Sequence, residues 1–425
     1  FGSILQVAAD ATSAGGTLRI AGTCTAEASS QGDTMLDITK DLTLLGGYPV
    51  NAGVPDFTDA NRDPQANPTI LDANSANRIS DPIGQPGRVI YVRDVSATLD
   101  GLTIRNGDAI VGAGIRNEGL LTISNSTING NQADFRGGGL YNFDGTLTIS
   151  NSTISGNLAG DGGGVYNLGS ASTLTIDNSI ISGNQADFEG GGVSNSESTM
   201  TISNSTISGN QADLGGGGVF NLESTMTISN TTISGNQADV DLCRSFSIIS
   251  TLTTNSSNHS TIHADFEHSC GLGSPSTMTI SNTTISGNQA DVDGGGVYNL
   301  GSASTTISNS IVYNNAASLS LGNDIFNNAN TEIRHSLYTN LSDAGGTLIA
   351  SDDNITSIPA SAAADVFWSA LDPSNAPSTA GDFRLEVRSP AVNAGDASFL
   401  PDESTLGPGG TPLDIDGDGL DDPID

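Results

Sequence analysis

The chain has 425 residues and a formal net charge of −34, with 47 acidic residues against 13 lysines and arginines. An anionic surface of this kind repels phosphate groups, so nucleic acid and anionic membranes are not expected as partners. No apolar run approaches the roughly 20 residues that a membrane-spanning helix needs. The low density of charged residues and the single lysine, Lys40, are typical of secreted surface proteins. We therefore expect an extracellular or cell-surface location.

Residues 1–16 are predicted to form an N-terminal cap. The segment from Ser3 to Ala11 has a short amphipathic pattern and is followed by Gly15 and Gly16, which predicts a small helix. A helix at this place would cover the open edge of a strand stack and keep that edge from pairing with other chains.

A phrase close to Thr-Ile-Ser-Asn then recurs along the chain. Its central isoleucines are Ile123, Ile149, Ile176, Ile202, Ile228, Ile280 and Ile307. Their successive numbers differ by 26, 27, 26, 26, 52 and 27, and we interpret the long gap as two periods of 26. A constant period of this length predicts a solenoid, in which each unit buries its apolar face against its neighbours. We expect it over residues 17–330, with regular coils over about 97–317. Eight steps from Leu99 to Ile307, each about 4.8 Å, would give a rod segment of about 38 Å.

Each unit has the pattern of three short strands. Leu147 and Ile149 alternate with Thr148 and Ser150, which is the period-2 pattern of a half-buried strand. Two further short strands follow, separated by asparagine or glycine, and the unit shows no 3.6-residue apolar stripe. Three strands that close once in every repeat predict an all-β parallel β-helix.

Two columns of asparagine accompany the repeat. The first comprises Asn125, Asn151, Asn178, Asn204, Asn230, Asn282 and Asn309, and the second comprises Asn131, Asn157, Asn184, Asn210, Asn236 and Asn288. Asparagine tolerates left-handed backbone angles, so we expect it at the corners between strands. Amides stacked coil upon coil can also bond one another, which predicts an asparagine ladder.

Residues 241–266 fill one period without the repeat phrase. When the chain is aligned by one period, Ala264-Asp265-Phe266 restores the Ala-Asp-Val of the repeat, so we predict that this segment remains in the stack as its least ordered coil. Cys243 and Cys270 then align with adjacent residues of one strand in neighbouring coils. Their Cα atoms would be close enough for a disulfide, but their side chains would point to opposite faces, and both alternatives stay open.

Residues 331–400 lose the period and are predicted to form irregular C-terminal coils, followed by an acidic tail at 401–425. In this tail, acidic residues at positions 1, 3, 5, 9 and 12, with glycine at position 6, have the spacing of a twelve-residue calcium loop. The candidate Ca²⁺ ligands are Asp414, Asp416, Asp418, the carbonyl of Leu420, Asp422 and Asp425. A solvated acidic tail is the alternative.

An aromatic column beside glycine triplets is a candidate binding strip. It contains Tyr141, Tyr166, Phe220 and Tyr298. If Val165 points inward, Tyr166 points outward beside a strip without side chains, which could receive a sugar chain or a neighbouring rod. Packing of the rings over the corner is the alternative.

The units resemble those of secreted bacterial right-handed parallel β-helix proteins, the pectate-lyase-like superfamily of surface and adhesin-type repeats. The phrases Gly-Asn-Gln-Ala and Gly-Gly-Gly-Val-Tyr-Asn are also similar to the repeats of chlamydial polymorphic outer-membrane proteins. Residues 382–396 are similar to the C-terminal region of variably anchored β-helix proteins. The resemblance implies a right-handed β-helix and secretion.

From the repeat and the resemblance we expect a non-catalytic extracellular rod with calcium as its cofactor, either an adhesin or a self-assembling fibre or surface-layer subunit. Its partners would be further copies of itself or a cell-surface polysaccharide. The alternative is a calcium-dependent polysaccharide lyase or another carbohydrate-active β-helix enzyme, for which Arg105, Arg116 and Arg136 are the basic residues available in the regular coils.

Overall fold

The computed structural model describes residues 4–26, 34–73, 87–238, 262–265, 277–290, 295–317, 323–344, 347–351, 354, 356, 367–369 and 382–385. Within these ranges the chain is a solenoid of parallel strands preceded by the helix α1, Ile4–Ala11, as predicted. Leu5 and Ala9 of α1 are buried against the first coils. The helix therefore covers the N-terminal end of the core. A short 3₁₀ helix spans Asp59–Asn61.

The first sheet has 21 strands in two columns that meet at a corner. One column, called here the aromatic side, contains Leu36–Ile38, Ile90–Val92, Ile115–Asn117, Leu140–Phe143, Val165–Leu168, Val193–Ser196, Val219–Leu222, Ile262–Asp265 and Leu341–Asp343. The other, called the threonine side, contains Gly16–Arg19, Leu42–Leu45, Ser96–Asp100, Leu120–Ser124, Thr146–Ser150, Thr173–Asp177, Thr199–Ser203, Thr225–Ser229, Thr277–Ser281 and Thr347–Ala350. Val297–Ser308 and Ile325–Arg334 run through both columns.

Two further sheets complete each coil. The second contains Thr23–Thr25, Thr69–Asp72, Leu102–Arg105, Thr127–Asn129, Thr153–Ser155, Ile180–Ser182, Thr206–Ser208, Thr232–Ser234, Thr284–Ser286, Ile311–Tyr313 and Leu337–Tyr338. The third contains Asp108–Val111, Gln132–Arg136, Leu158–Ala159, Gln185–Ala186, Gln211–Ala212, Gln237–Ala238, Gln289–Ala290 and Ala316–Ala317. Two small antiparallel pairs lie outside the stack, Val50–Asn51 with Val54–Pro55 and Phe367–Ser369 with Asp382–Leu385.

The isoleucines of the repeat form one continuous interior row, as the period predicts. Ile123 pairs with Ile149, and the same register continues through every later member of the row to Ile307. All seven side chains are fully buried. Burial of each contributes about 1.5–3 kcal/mol, so the row is a major part of the hydrophobic stabilisation of the rod.

The asparagine columns have the two roles expected of them. The corner column, from Asn125 to Asn309, has φ angles between 45° and 50°. The second column is a buried ladder in which Nδ2 of one residue donates to Oδ1 of the next, for example from Asn157 to Asn184 and from Asn184 to Asn210, both at 2.9 Å. A third ladder, not predicted from the sequence, joins Asn117, Asn142, Asn167, Asn195 and Asn221 at 2.7–2.8 Å.

The prediction that residues 241–266 form a coil of the stack is wrong. The strand Thr225–Ser229 pairs directly with Thr277–Ser281, and Asn236 donates to Asn288 at 3.1 Å although the two lie two periods apart in sequence. No coil separates them. The strand Ile262–Asp265 instead fills the aromatic side of this one coil, between Val219 and Val297. Ala264 therefore lies in register with Asn221 and Asn299 and not with the alanine of Ala-Asp-Val.

The physical reason is that the connections of this one coil are longer than usual. The segment 213–224 connects Ala212 to Thr225, whereas the much longer segment 239–276 connects Ala238 to Thr277, and the excess equals one period. Seven coil steps, not eight, thus separate Leu99 from Ile307, which gives about 34 Å at about 4.8 Å per step. Cys243, Cys270 and the predicted calcium loop lie outside the described residues.

Substitution of Asn184 by alanine is expected to destabilise the rod by about 1–3 kcal/mol, because it leaves buried groups without their partners. The side-chain Oδ1 of Asn184 accepts from the backbone and side chain of Asn157, and its Nδ2 donates to Asn210 and to the Ile154 carbonyl. Urea unfolding followed by circular dichroism measures the effect. The control is Asn178→Gly, at an exposed corner with φ 45°, which glycine adopts without strain. Equal midpoints for the two variants would contradict a stabilising role for the ladder.

The buried ladder ends at a carboxylate, and this gives a pH prediction. Oδ1 of Asp324 accepts from Asn315, and Oδ2 accepts from Thr339 and from the backbone of Asn340. Burial raises the pKa of Asp324, and these hydrogen bonds only partly oppose the shift. The folded state therefore holds the proton more tightly than the unfolded chain. The stability that this tighter proton binding gives the folded state is complete below the unfolded pKa of about 3.9. It is lost as the pH rises through the higher folded pKa.

Relative to Asp324→Asn, the wild-type protein is therefore expected to lose stability as the pH rises above about 4. Thermal unfolding at a series of pH values measures the difference. Asp177→Asn is the control of opposite sign, because hydrogen bonds from Ser203 and Asn204 lower the pKa of the half-buried Asp177. Parallel pH profiles for the wild type and Asp324→Asn would show that folding does not change the pKa of the Asp324 carboxyl.

Candidate functional site

The second residues of ten strands on the aromatic side form one column in register. In chain order they are Asp37, Tyr91, Arg116, Tyr141, Tyr166, Ser194, Phe220, His263, Tyr298 and Phe326. The four aromatic residues singled out from the sequence thus share one column, interrupted by Ser194 and His263. The neighbouring Val165 points into the core, as expected.

The rings of this column are packed and do not line an open strip. Tyr141, Tyr166 and Phe220 are only 7%, 5% and 2% exposed. The glycine-rich connection lies directly on them: at Gly162, where φ is +62°, an added Cβ would come within 2.7 Å of the Tyr166 Cβ. Of the two alternatives, packing over the corner is therefore the one observed for these three residues. The side chain of Tyr298 lies outside the described part of the molecule.

A group of arginines surrounds Tyr91 at the N-terminal end of this column, and we call Arg88, Tyr91, Arg93, Arg116 and Glu118 the Tyr91 cluster. The guanidinium carbons of Arg93, Arg116 and Arg88 lie 3.8, 5.0 and 5.2 Å from the ring centroid of Tyr91. Contacts of this length are cation–π interactions. Three positive charges are thus concentrated around one ring in a strongly acidic protein.

Carboxylates balance part of this positive charge. Tyr91 donates its hydroxyl to Glu118 Oε2 at 2.5 Å, and Arg116 Nε donates to Glu118 Oε1 at 2.8 Å. Arg93 pairs with Asp37 at 2.7 Å. Burial acts to raise the pKa of Glu118, but the hydrogen bonds from Tyr91 and Arg116 outweigh it, so the net shift is downward. Glu118 is therefore ionised at neutral pH and suited to orienting Arg116, not to donating a proton.

Arg88 has the most unusual environment in the cluster. Its guanidinium donates to the carbonyls of Gly112 and Val111 at 2.8 and 2.7 Å, and among the described residues no carboxylate pairs with it. Burial, followed by repulsion from Arg116, lowers the pKa of Arg88 to about 10. The side chain still carries its charge at neutral pH. It is therefore not suited to act as a general base, which needs a pKa near the working pH.

A similar contact occurs in the same column three coils after Tyr91. Arg136 lies 5.1 Å from the ring centroid of Tyr166 and 3.6 Å from Asp161 Oδ2. Burial raises the pKa of Tyr166 to about 12. Arg105, in contrast, pairs with Asp72 at 2.9 Å on the second sheet. Of the three arginines considered from the sequence, the structure therefore brings Arg116 and Arg136 to one face and leaves Arg105 on another.

A shallow groove of about 450 Å³ adjoins the cluster at the corner between the two columns of the first sheet. Asp41, Asp94, Glu118 and Asp144 line it, together with Ser96 and Thr146.

In the part of the chain that the structure describes, no group of three or more His, Cys, Asp or Glu side chains is placed to hold a metal ion. Among the described helices, none is long and apolar enough to cross a membrane.

Sequence reasoning missed Arg88, Tyr91 and Arg93 because they belong to early coils that lack the repeat phrase. A signal was present: Ile90-Tyr91-Val92 and Ile115-Arg116-Asn117 both alternate with the same phase as Val165-Tyr166-Asn167. An alignment of the strands by their alternation of inward and outward positions, instead of by the repeat phrase, places Tyr91 and Arg116 in the aromatic column.

Comparison with known proteins agrees with this architecture. A family model described as "Right handed beta helix region" matches residues 137–304. With its stacked parallel sheets, the chain has an all-β parallel β-solenoid fold that is consistent with a right-handed β-helix. No curated protein matches the chain.

Two solved structures are similar at low identity. The crystal structure of pectate lyase Pel9A is 12% identical with a TM-score of 0.40, over 96% of this chain and 88% of that one. The catalytic unit of a thermostable GH87 alpha-1,3-glucanase from Streptomyces thermodiastaticus strain HF3-3 is 12% identical with a TM-score of 0.30, over 83% of this chain and 65% of that one.

Proposed function

We propose that this protein is a non-catalytic extracellular rod that acts at the cell surface as an adhesin or as a self-assembling fibre or surface-layer subunit. The observation that supports this proposal is the repetition of the same outward side chains on successive coils. Thr146 and Thr148 are matched in register by Thr173 and Thr175, and then by the corresponding threonines of three further strands.

Repetition favours binding over catalysis for a physical reason. A catalytic site needs one unique constellation of groups, whereas identical coils offer many equal contacts to an extended partner. Linked weak contacts increase the overall affinity without any single strong one. A long polysaccharide or a second rod presents the matching repetition. Because the chain carries a net charge of −34, cations between such partners would screen their electrostatic repulsion.

Calcium belongs to the same proposal. The spacing of Asp414, Asp416, Asp418, Asp422 and Asp425 supports a site for one Ca²⁺, because hard carboxylate oxygens at these positions can surround the ion once Gly419 permits the sharp turn. Bound calcium would stabilise the acidic C-terminal tail by reducing the repulsion between its carboxylates.

The second candidate is a carbohydrate-active enzyme, such as a calcium-dependent polysaccharide lyase, and the Tyr91 cluster favours it. Guanidinium groups bind carboxylates through paired hydrogen bonds, so Arg88 and Arg116 are suited to an acidic sugar chain. The pairing of Arg116 with Glu118 and of Arg93 with Asp37 weighs against catalysis, because these contacts already engage both guanidinium groups.

An assay of the purified chain with acidic polysaccharides and added Ca²⁺ separates the two candidates. We expect no unsaturated product above background, measured by its ultraviolet absorbance. Product formation that disappears in Arg116→Ala and persists in the control Arg105→Ala would overturn the rod proposal and establish the enzyme. The control removes an arginine of similar pairing from the second sheet.

The calcium proposal predicts that the double variant Asp416→Asn/Asp418→Asn loses Ca²⁺ binding, because two ligands become neutral. Isothermal titration with CaCl₂ measures the binding, and electron microscopy with and without chelator shows whether association of the rods depends on it. Asp421→Asn is the matched control, since position 8 of the loop supplies no ligand. Equal Ca²⁺ affinity in the double variant and in Asp421→Asn would contradict the assignment of this segment as a calcium loop.

A further inference from the structure

The threonine side of the first sheet carries an uninterrupted column of ten threonines. In register they are Thr17, Thr43, Thr98, Thr122, Thr148, Thr175, Thr201, Thr227, Thr279 and Thr306. All ten side chains are exposed or half-buried on the outward side of the sheet. The column continues past the connection 239–276, because Thr227 pairs directly with Thr279.

A second column runs beside it and makes the array two-dimensional. Its members are Thr146, Thr173, Thr199, Thr225 and Thr277, all exposed. The residue between each pair of threonines is a buried leucine or methionine, so both threonines of a strand face solvent. We call the two columns together the threonine face.

The repeat phrase does not account for the persistence of threonine along the rod. Thr17 and Thr43 belong to early coils, Gly16–Arg19 and Leu42–Leu45, that lack the phrase, yet they continue the column. Strand propensity does not account for it either. The comparable outward column of the second sheet replaces threonine by Ile180 and by Ile311, since β-branched residues in general suit such positions.

The threonine face is regular and rigid. Adjacent coils lie about 4.8 Å apart, and the two threonines of one strand are two positions apart, or about 6.6 Å. Parallel hydrogen bonds and the buried asparagine ladders hold this spacing, and the β-branched threonine side chain is stiff at χ1. Nine steps of the long column extend over about 43 Å. The hydroxyl and methyl groups thus form a flat lattice with a fixed repeat in two directions.

Charge identifies the kind of partner. Although the chain carries a net charge of −34, the outward positions of the five strands that bear paired threonines include one charged residue, Asp177. A neutral lattice complements a neutral, ordered partner. Hexagonal ice repeats its water molecules in two directions at spacings of the same order, and hydroxyl groups with adjacent methyl groups can hold surface water in such an order.

We propose that the threonine face binds ice. The flat array anchors a layer of ordered water, and this layer merges with the crystal surface. The inference stands on the threonine columns alone and does not depend on the calcium loop or on the rod's role at the cell surface. Failure of ice binding would therefore leave the proposed function intact.

Ice-affinity partitioning of the full chain tests the proposal, with thermal hysteresis as a second readout. We expect the wild-type protein to concentrate in slowly grown ice, and Thr201→Tyr, near the middle of the face, to reduce the enrichment at least tenfold. Thr206→Tyr is the matched control, because Thr206 lies on the same coil, is also half-buried, and faces outward on the second sheet. It is expected to retain the wild-type enrichment.

Circular dichroism and the unfolding midpoint of both variants establish that the fold is kept. Exclusion of the wild-type protein from ice would overturn the proposal, and so would an equal loss of enrichment in the two variants. Retention by crystalline cellulose or chitin, without enrichment in ice, would also overturn it and would assign the face to a crystalline polysaccharide.

Discussion

The structure depends on one constraint: every coil must satisfy its backbone and its buried amides through the coils on either side. Parallel strands hydrogen-bond only to their neighbours along the axis, and the ladder through Asn157, Asn184 and Asn210 adds side-chain bonds in the same direction. A polar group in the interior is tolerated because its partner is always one step away. The rod therefore combines an isoleucine row and amide ladders in a single narrow core.

The same constraint explains the two ends of the described stack. Helix α1 covers the apolar interior at the N-terminal side of the described stack, next to the strand Leu36–Ile38, which among the described strands pairs only with Ile90–Val92. Toward the C-terminal side, Asp324 replaces the next asparagine of the ladder and gathers donors from Asn315, Thr339 and Asn340. A carboxylate accepts without donating, so it completes a chain of amides that all donate in one direction.

Much of this architecture follows from the sequence because one period of the repeat corresponds to one coil of the solenoid. The repeat places Ile149 and Ile176 in one row, and the need for positive φ places Asn151 and Asn178 at corners. What could not be predicted has a physical cause as well. Residues 239–276 exceed the ordinary connection by one whole period, and residue counting cannot distinguish an added coil from longer connections. Only the pairing of Ile228 with Ile280 decides between them.

The candidate sites were less visible than the fold. Tyr91, Arg93 and Arg116 come together through strand register across coils of unequal length. The repeat motif of the sequence does not indicate that these residues are close. The burial of Tyr166 depends on how the glycine connection folds back over its ring, which a pattern of inward and outward positions does not specify. The threonine face shows the converse. Its members are plain in the sequence, but the continuity from Thr17 to Thr306 appears only when ten strands are aligned by their hydrogen bonds.

The direct pairing across the long connection has an evolutionary consequence. Because Thr225–Ser229 and Thr277–Ser281 pair directly although one extra period of sequence lies between them, the corner connections on either side of the strand Ile262–Asp265 accept added sequence at little thermodynamic cost. New binding modules can be acquired there by insertion while the scaffold stays unchanged. The same corner is a natural grafting point for an engineered domain.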